Sequence, residues 1–436
     1  MRSLPLLAAL LLAISTQVVA TPLLLTHATV IDGTGSPARA NTTIAIEGAR
    51  IQSIYPSDSQ PVPSGATVED LKGRYVIPGL IDAHVHITDI EPDIAHYKTF
   101  LNALLLGGVT GIRDMAGNAR LLGYLAQQTD TDAFVGPDIF YTALMAGPSF
   151  FAEDDRVQAS APGAKAGDTP WMRAIDATTD LPSAIAEAKG TGATAIKLYA
   201  NLPANLVQAI IAEAHRQGLL VWAHATIFPV RPSDAVAAGA DSISHSAYLV
   251  WEAAPQVPDD YGVRTRGDFA HIRPDAPQIL ALFDAMKQRS TILDATLHIF
   301  RDVAEHHPDK VGAGIMPWSY AVTKLAHERG VAVDAGTDSE GLPDDAHNNP
   351  DLKAMPVVHA EMALLVEHCG FTPLEAIRAA TQVGSMATGQ YATRGTIAQG
   401  MRADLVVLTA DPTIDIHNTT KIAFVVKNGI VYRRGR

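Results

Sequence analysis

Between Tyr75 and Thr337 the chain alternates between two kinds of segment. Eight short runs are rich in β-branched and small apolar residues: Tyr75–Val85, Val109–Met115, Asp138–Leu144, Ala193–Tyr199, Leu219–His224, Asp241–His245, Thr291–Leu297 and Val331–Thr337. Helical patterns separate most of them. In one, Leu206, Val207, Ile210, Ile211 and Ala214 form an apolar stripe that Gly218 closes. Another runs from Trp318 to Arg329 and stops at Gly330. Strands that alternate with helices pair in parallel, and eight such units predict a closed (β/α)8 barrel. An open, doubly wound sheet is the rival. No Gly-x-Gly-x-x-Gly follows an early strand, which weakens it.

The two ends of the chain read differently. Leu23–Ile31 and Asn41–Tyr55 are short and alternating, broken by Gly33, Gly35 and Pro37. Ala403–Thr409 and Ile422–Tyr432 behave alike, with a turn signal at Asn428-Gly429. The expectation is an α/β protein. Residues 21–75 and 391–436 form one small β-sandwich, and residues 76–390 form the barrel.

Residues 1–20 form a separate unit. Arg2 is followed by an almost wholly apolar run from Leu4 to Ile14, and Val18-Val19-Ala20 ends on a small residue. This predicts a secretory signal peptide cleaved after Ala20, hence a secreted, periplasmic protein. The run is shorter than the roughly 20 residues of a membrane anchor. No second segment is long and apolar enough to span a bilayer. The single cysteine, Cys369, allows no intrachain disulfide and reads as a buried thiol. A net charge of −13, with no run of Lys or Arg, argues against a nucleic-acid partner. A homo-oligomer is compatible with the sequence.

Chemistry concentrates at the strand ends. In Ala83-His84-Val85-His86-Ile87, the strand period of two puts His84 and His86 on one face. At the C-terminal end of the first barrel strand, two imidazoles suit one metal ion. His-x-His alone is a weak signal, because an exposed strand would read the same. Four later strands add a polar residue each: Lys197 in Ala195–Tyr199, His224 after Val221-Trp222-Ala223, His245 after Ser242-Ile243-Ser244, and Asp338 after Ala335-Gly336-Thr337. In a (β/α)8 barrel, polar residues at these ends read as catalytic rather than structural.

With these residues in place, the sequence resembles the amidohydrolase superfamily over essentially all of its mature length. The carriers are Pro78–His86, Gly108-Val109-Thr110 with Arg113-Asp114, Ile196-Lys197, Ala223-His224-Ala225, Ser244-His245, Ala335–Asp338, Thr372–Ala376, and Gly395-Thr396-Ile397 with Ala403–Leu408. It looks most like the branch of imidazolonepropionases, prolidase-like dipeptidases and ochratoxin-type amidases. The resemblance implies that His84, His86 and Asp338 hold a more buried metal ion and His224 and His245 a more exposed one. It also implies that Lys197 bridges the two as a carbamate formed with CO2. An ordinary buried or salt-bridged lysine is the alternative for Lys197. Two zinc ions are expected, while manganese, iron and cobalt also suit such donors.

The function so implied is hydrolysis of a C–N bond, amide or peptide, in a small-molecule substrate by a metal-bound hydroxide, with Asp338 as general base and acid. Two readings stand beside it: a mononuclear, imidazolonepropionase-like cyclic amidase or lactonase, and a non-catalytic periplasmic metal-binding protein.

Substrate contacts are read from the same strand ends. Tyr199 shares the inward face of Lys197, and Tyr248 follows His245. Arg113 could bind a substrate carboxylate or form a structural ion pair. His298 ends the seventh run, facing the mouth or solvent. His359 and Glu361 read as helix-capping residues, and Asp154, Asp155 and Arg156 as loop charges. Phe150–Pro170 and Glu252–Asp275 interrupt the alternation and are expected over the barrel mouth, as lids or as surface insertions. Dipeptidases and ochratoxin-type amidases of this branch usually carry Gly-Gly-His after strand three. Here the segment is Ala146-Gly147-Pro148-Ser149-Phe150-Phe151, which points to a more apolar substrate.

Overall fold

The structure, a computed structural model, describes residues 21–88, 93–344, 346 and 351–435. The expected signal peptide, residues 1–20, lies outside the described residues. Its strands are β1 (Leu23–Val30), β2 (Arg39–Glu47), β3 (Arg50–Pro56), β4 (Thr67–Asp70), β5 (Tyr75–Pro78), β6 (Leu80–Val85), β7 (Val109–Asp114), β8 (Asp138–Ala146), β9 (Asp168–Thr169) and β10 (Met172–Ala174). There follow β11 (Ala195–Leu198), β12 (Leu220–His224), β13 (Ser242–Ser244), β14 (Ile292–Asp294), β15 (Val333–Asp334), β16 (Leu405–Leu408), β17 (Ile422–Lys427) and β18 (Ile430–Tyr432).

Eight of these form the barrel. Parallel pairing runs β6–β7–β8–β11–β12–β13–β14–β15. The last strand returns to the first just beyond β15, where Val85 and Ser339 form a parallel bridge. Asp338 N–H donates to His84 O at 2.9 Å and His86 N–H to Ser339 O at 3.0 Å across that seam. The metal-ligand candidates of β6 and the residues after β15 are therefore neighbours in the ladder itself.

The helices bury the stripes that the periodicity predicts. In the helix Ala204–Arg216, Val207, Ile210, Ile211 and Ala214 are buried. Each large apolar side chain so covered contributes roughly 1.5–3 kcal/mol. The helix Ile315–Glu328 likewise buries Trp318, Val322 and Ala326. Among the described residues, no helix is long and apolar enough to cross a membrane.

Both chain ends join one eight-stranded sheet in the order β18-β17-β16-β5-β1-β2-β3, with β4 also on β1. It has its own core, in which Leu25, Val30, Ile44, Val76, Leu405 and Phe424 meet. The run Tyr75–Val85 is thus two strands in two sheets, divided at Gly79. A Cβ on Gly79 would lie 2.1 Å from Thr110 Oγ1, so only glycine lets the chain cross there.

The seventh run is shorter than its apolar pattern suggests. β14 stops at Asp294, Thr296 takes a left-handed φ of 50°, and a helix begins at Leu297. This removes His298 from the barrel end and corrects its reading as a substrate contact. His298 lies in the first turn of Leu297–His306 and lines a separate cavity of about 630 Å³ with Arg301, Met355 and His359. Glu361 caps that helix by accepting from Leu297 N–H at 2.9 Å and His298 N–H at 2.7 Å.

Candidate metal centre

The centre is built where β6 meets the segment after β15. His84 Nδ1 donates to Asp294 Oδ2 at 2.6 Å, which leaves Nε2 as the free donor atom, 3.2 Å from Asp338 Oδ1. His86 Nε2 lies 3.0 Å from the same oxygen. His245 Nδ1 is 3.6 Å from Asp338 Oδ2. One ligand atom each from His84, His245 and Asp338 falls within 4.8 Å of the others. Ligands about 2.0 Å from a tetrahedral ion stand about 3.3 Å apart, so small side-chain movements bring this set onto one ion.

Two of these residues sit in backbone conformations that side chains rarely adopt. His245 has φ 80° and Asp338 φ 54°. Each costs about 1–3 kcal/mol and persists because the ladder on both sides fixes it. Both turn their side chains into the barrel mouth at the point where a regular strand would continue.

His224 and Lys197 complete the sequence-derived set. His224 Nδ1 donates to Thr226 O at 3.0 Å, and its ring centroid is 4.5 Å from that of His245. Lys197 is fully buried on β11, with Nζ donating to Ser244 Oγ at 3.3 Å. Six residues from five strands thus surround one space. His84, His86, His245 and Asp338 are in direct contact through Asp338, while His224 and Lys197 border the same group through His245 and Ser244.

Electrostatics suit metal binding. Burial, joined by the neighbouring His245 and Lys197, holds His224 well below the usual imidazole range. His245 is lowered chiefly by burial. Both are therefore neutral, the form that ligates a cation. Burial pushes the Lys197 ammonium down to about 7, aided by Arg113 and opposed by Asp294 and Asp338. Burial alone would raise Asp338. The contacts with His84, His86 and His245 outweigh it and keep the carboxyl ionised.

A buried layer beneath the ligands orients them. Asp294 Oδ2 accepts from His84, from Ser244 Oγ at 2.8 Å and from Arg113 at 3.1 Å. Asp334 beneath it is pushed up by burial and by the Asp294 charge. Asp82, raised to about 7 by burial, accepts from Thr337 Oγ1 at 2.9 Å and ties β6 to the segment after β15. A Cβ on Gly336 would lie 2.1 Å from Asp294 Oδ1 and 2.7 Å from His84 Cβ, so glycine is required there. Arg113 belongs to this layer: it is fully buried, with its guanidinium 4.5 Å from the Trp222 ring. That corrects Arg113 as a substrate contact, since its charge is spent on Asp294 and Asp334.

Above the ligands lies an aromatic collar. Tyr248 stacks on His224 at 4.8 Å, and Tyr199 is 4.8 Å from the same imidazole. Tyr261 donates to Tyr199 Oη at 2.6 Å, Phe150 is 4.8 Å from Tyr199, and Phe300 is 5.3 Å from Tyr248. The two interrupting segments supply Phe150 and Tyr261. The collar borders a cavity of about 530 Å³ that Arg156 and Arg264 also line. Tyr261, Arg264, Phe300 and Asp294 escape a sequence reading. Only Asp294 carries a signal there, as the polar residue closing Ile292-Leu293-Asp294.

The donor set fits a divalent metal. It offers neutral imidazoles and an ionised carboxylate, and His84 is held from behind by a buried carboxylate, as metal-ligating histidines usually are.

Comparison with known proteins places this geometry. The first curated relatives match over a short span only. Allantoinase of Streptomyces avermitilis is 37% identical over 79 residues, which is 17% of each chain. Imidazolonepropionase of Chromobacterium violaceum is 23% identical over 414 residues, covering 86% of this chain and 88% of that one. The solved structure of A. niger ochratoxinase superposes with a TM-score of 0.73 at 19% identity, covering 95% of this chain and 96% of that one, a likeness of fold. The model of the amidohydrolase family matches residues 75–433, that is, the barrel together with β5 and β16–β18 of the terminal sheet. The chain belongs to the amidohydrolase family.

Proposed function

We propose that this chain is a secreted, metal-dependent hydrolase of a C–N bond, amide or peptide, in a small molecule. The observation that carries the reading is Asp338. One half-buried, ionised carboxylate touches three imidazoles and lies at the floor of a collar of aromatic side chains. A binding protein could use Asp338 as a ligand but would not need it as a base.

When bound, divalent ions at His84, His86, His224, His245 and Asp338 would acidify a water and polarise the substrate carbonyl. The protein's own groups do the rest. Asp338, ionised in the resting site, takes the proton of the attacking water on a carboxylate oxygen and returns it to the leaving nitrogen. Tyr199 and Tyr248 stand beside His224, where a hydroxyl can donate to the substrate carbonyl. Phe150, Tyr261 and Phe300 exclude bulk water above it.

A binuclear site requires Lys197 to act as a carbamate, and its burial and lowered affinity for a proton favour the neutral amine that reacts with CO2. The mononuclear reading rests on a specific observation. The closest ligand trio, His84, His245 and Asp338, serves one ion. Metal analysis with a hydrolysis panel of N-acyl amino acids, dipeptides, hydantoins and lactones decides. Two ions per chain, and activity lost in Lys197→Ala, support the binuclear form. One ion and an unchanged Lys197→Ala overturn it. Asp338→Asn should cost about 10²–10⁴ in kcat, and an unchanged rate returns the chain to the metal-binding reading. N-terminal sequencing of the exported protein should begin at Thr21.

A further inference from the structure

The cavity above the collar is lined by several acids, Glu153, Asp154, Asp155 and Asp260, yet one of its cations, Arg264, is in contact with none of them. Arg264 is half-buried on the second interrupting segment, and its guanidinium lies 4.1 Å from the centre of the Tyr261 ring. Among the described residues its side chain makes no ion pair and no hydrogen bond. The neighbouring arginine is different. Arg156 grips Asp154 with two bonds, Nε to Oδ1 at 2.8 Å and a terminal nitrogen to Oδ2 at 2.5 Å. Asp154, a carboxylate whose charge acts on Arg264, is thereby occupied. Another acid lining the cavity, Asp260, turns back to accept from Gly262 N–H at 2.7 Å.

The position of Arg264 is set by the protein, so its lack of a partner is not looseness. Trp251 Nε1 donates to Arg264 O at 3.0 Å, and Thr265 Oγ1 donates to Lys310 O at 2.7 Å. Tyr261 is fixed by its bond to Tyr199. That one tyrosine ring touches both the guanidinium and His224, whose ring centroid is 5.8 Å away. A half-buried guanidinium beside a centre that collects cations is unfavourable until an anion joins it. Guanidinium accepts a carboxylate with two parallel bonds. Phe150, Ile299, Phe300, Val303 and Val311 give the wall an apolar stretch, while Glu153, Asp155, Asn201 and Lys310 line the rest of it.

We propose that Arg264 anchors the substrate, and that this site takes amides bearing a free carboxylate and an apolar side chain, the chemistry of an N-acyl apolar amino acid. The proposal rests on the hydrolase reading above for the bond that is cut, but not for the binding of the carboxylate. The zinc-loaded protein and its Arg264→Gln and Arg264→Lys variants are tested with N-acetylphenylalanine, N-acetylleucine and their neutral carboxamides. Binding is followed by calorimetry and turnover by acetate release. The acids should bind the wild type about 10–100-fold better than the carboxamides, the span of one charge-assisted bidentate contact. Arg264→Gln should abolish that preference with carboxamide binding unchanged. Arg264→Lys, a point charge without the fork, should retain part of it. Equal loss for acid and carboxamide would make Arg264 a structural clamp on Tyr261 and overturn the proposal, as would binding of neither probe. Arginine-dependent binding without turnover leaves the proposal standing and removes the hydrolase reading. Turnover indifferent to the carboxylate does the reverse. Circular dichroism melting of both variants reports whether the segment still folds.

Discussion

Asp294 shows how a single residue decides whether neighbouring ligands are usable. Its Oδ2 receives His84, Ser244 and Arg113 together, and it is wholly buried. Asp294→Asn keeps the shape, but its amide supplies only one acceptor oxygen and carries no charge. His84 then loses the partner that fixes its ring and its tautomer. Such outer partners typically govern 10–100-fold in metal affinity. We expect Asn at this position to weaken zinc binding by about that factor, read by competition with a chromogenic chelator. Unchanged affinity would mean that the ladder alone orients His84. The six residues of the candidate centre were legible because each lies at or just beyond the C-terminal end of a β-rich run, the face on which a (β/α)8 barrel places its chemistry. Asp294 lies at such an end too. It was passed over because the apolar pattern continues through Ala295 and Leu297, and the left-handed turn at Thr296 that stops the strand leaves no mark in composition.

At the scale of elements, the helix Val358–Cys369 links barrel to terminal sheet through His359. Its Nε2 is 2.9 Å from Gly107 O and its Nδ1 is 2.9 Å from Thr419 Oγ1. Burial lowers its pKa to about 4, the nearby Arg434 acts in the same direction, and the bond to Gly107 opposes them. The folded state therefore keeps His359 neutral where the unfolded chain, near 6.5, takes up a proton. This stability is complete above pH 6.5 and is lost as pH falls from there toward 4. Between pH 7 and 4.5 the loss amounts to about 2–3 kcal/mol. His359→Gln, which can still donate and accept, should lose less over that range by about this amount, measured by urea unfolding at both values. Equal losses in the two proteins would show that His359 is protonated in the fold. The sequence suggested capping for both His359 and Glu361. Glu361 does cap a helix, but a different one, Leu297–His306, because the contact is made across 64 residues that no local pattern reports.

At the scale of the whole molecule, the barrel and the terminal sheet are joined by charge as well as by apolar packing. Asp138, at the start of β8, forms ion pairs with Arg394 at 2.6 Å, Lys427 at 2.8 Å and Arg402 at 3.1 Å. Lys427 belongs to β17 of the terminal sheet and is itself buried. The alternation of strands and helices made the barrel readable, and the alternating ends made the second sheet readable. Neither pattern showed how the two would dock, because the partners lie almost three hundred residues apart. Three cations converge on one buried acid, while a second, Asp404, pairs with only one of them, Arg402, at 3.5 Å. Burial opposes the ionisation of Asp138, yet the charges of Arg394, Lys427 and Arg402 overcome this and hold it below the usual carboxylate range. Removing the charge leaves the cations facing one another in a medium that solvates them poorly. Asp138→Asn, close in shape, should cost about 3–5 kcal/mol. The loss should appear first as faster proteolysis of β16–β18, because that sheet segment loses its anchor while the barrel keeps its own core. A variant that melts at the wild-type temperature with unchanged cleavage would mean that the apolar contacts dock the sheet unaided.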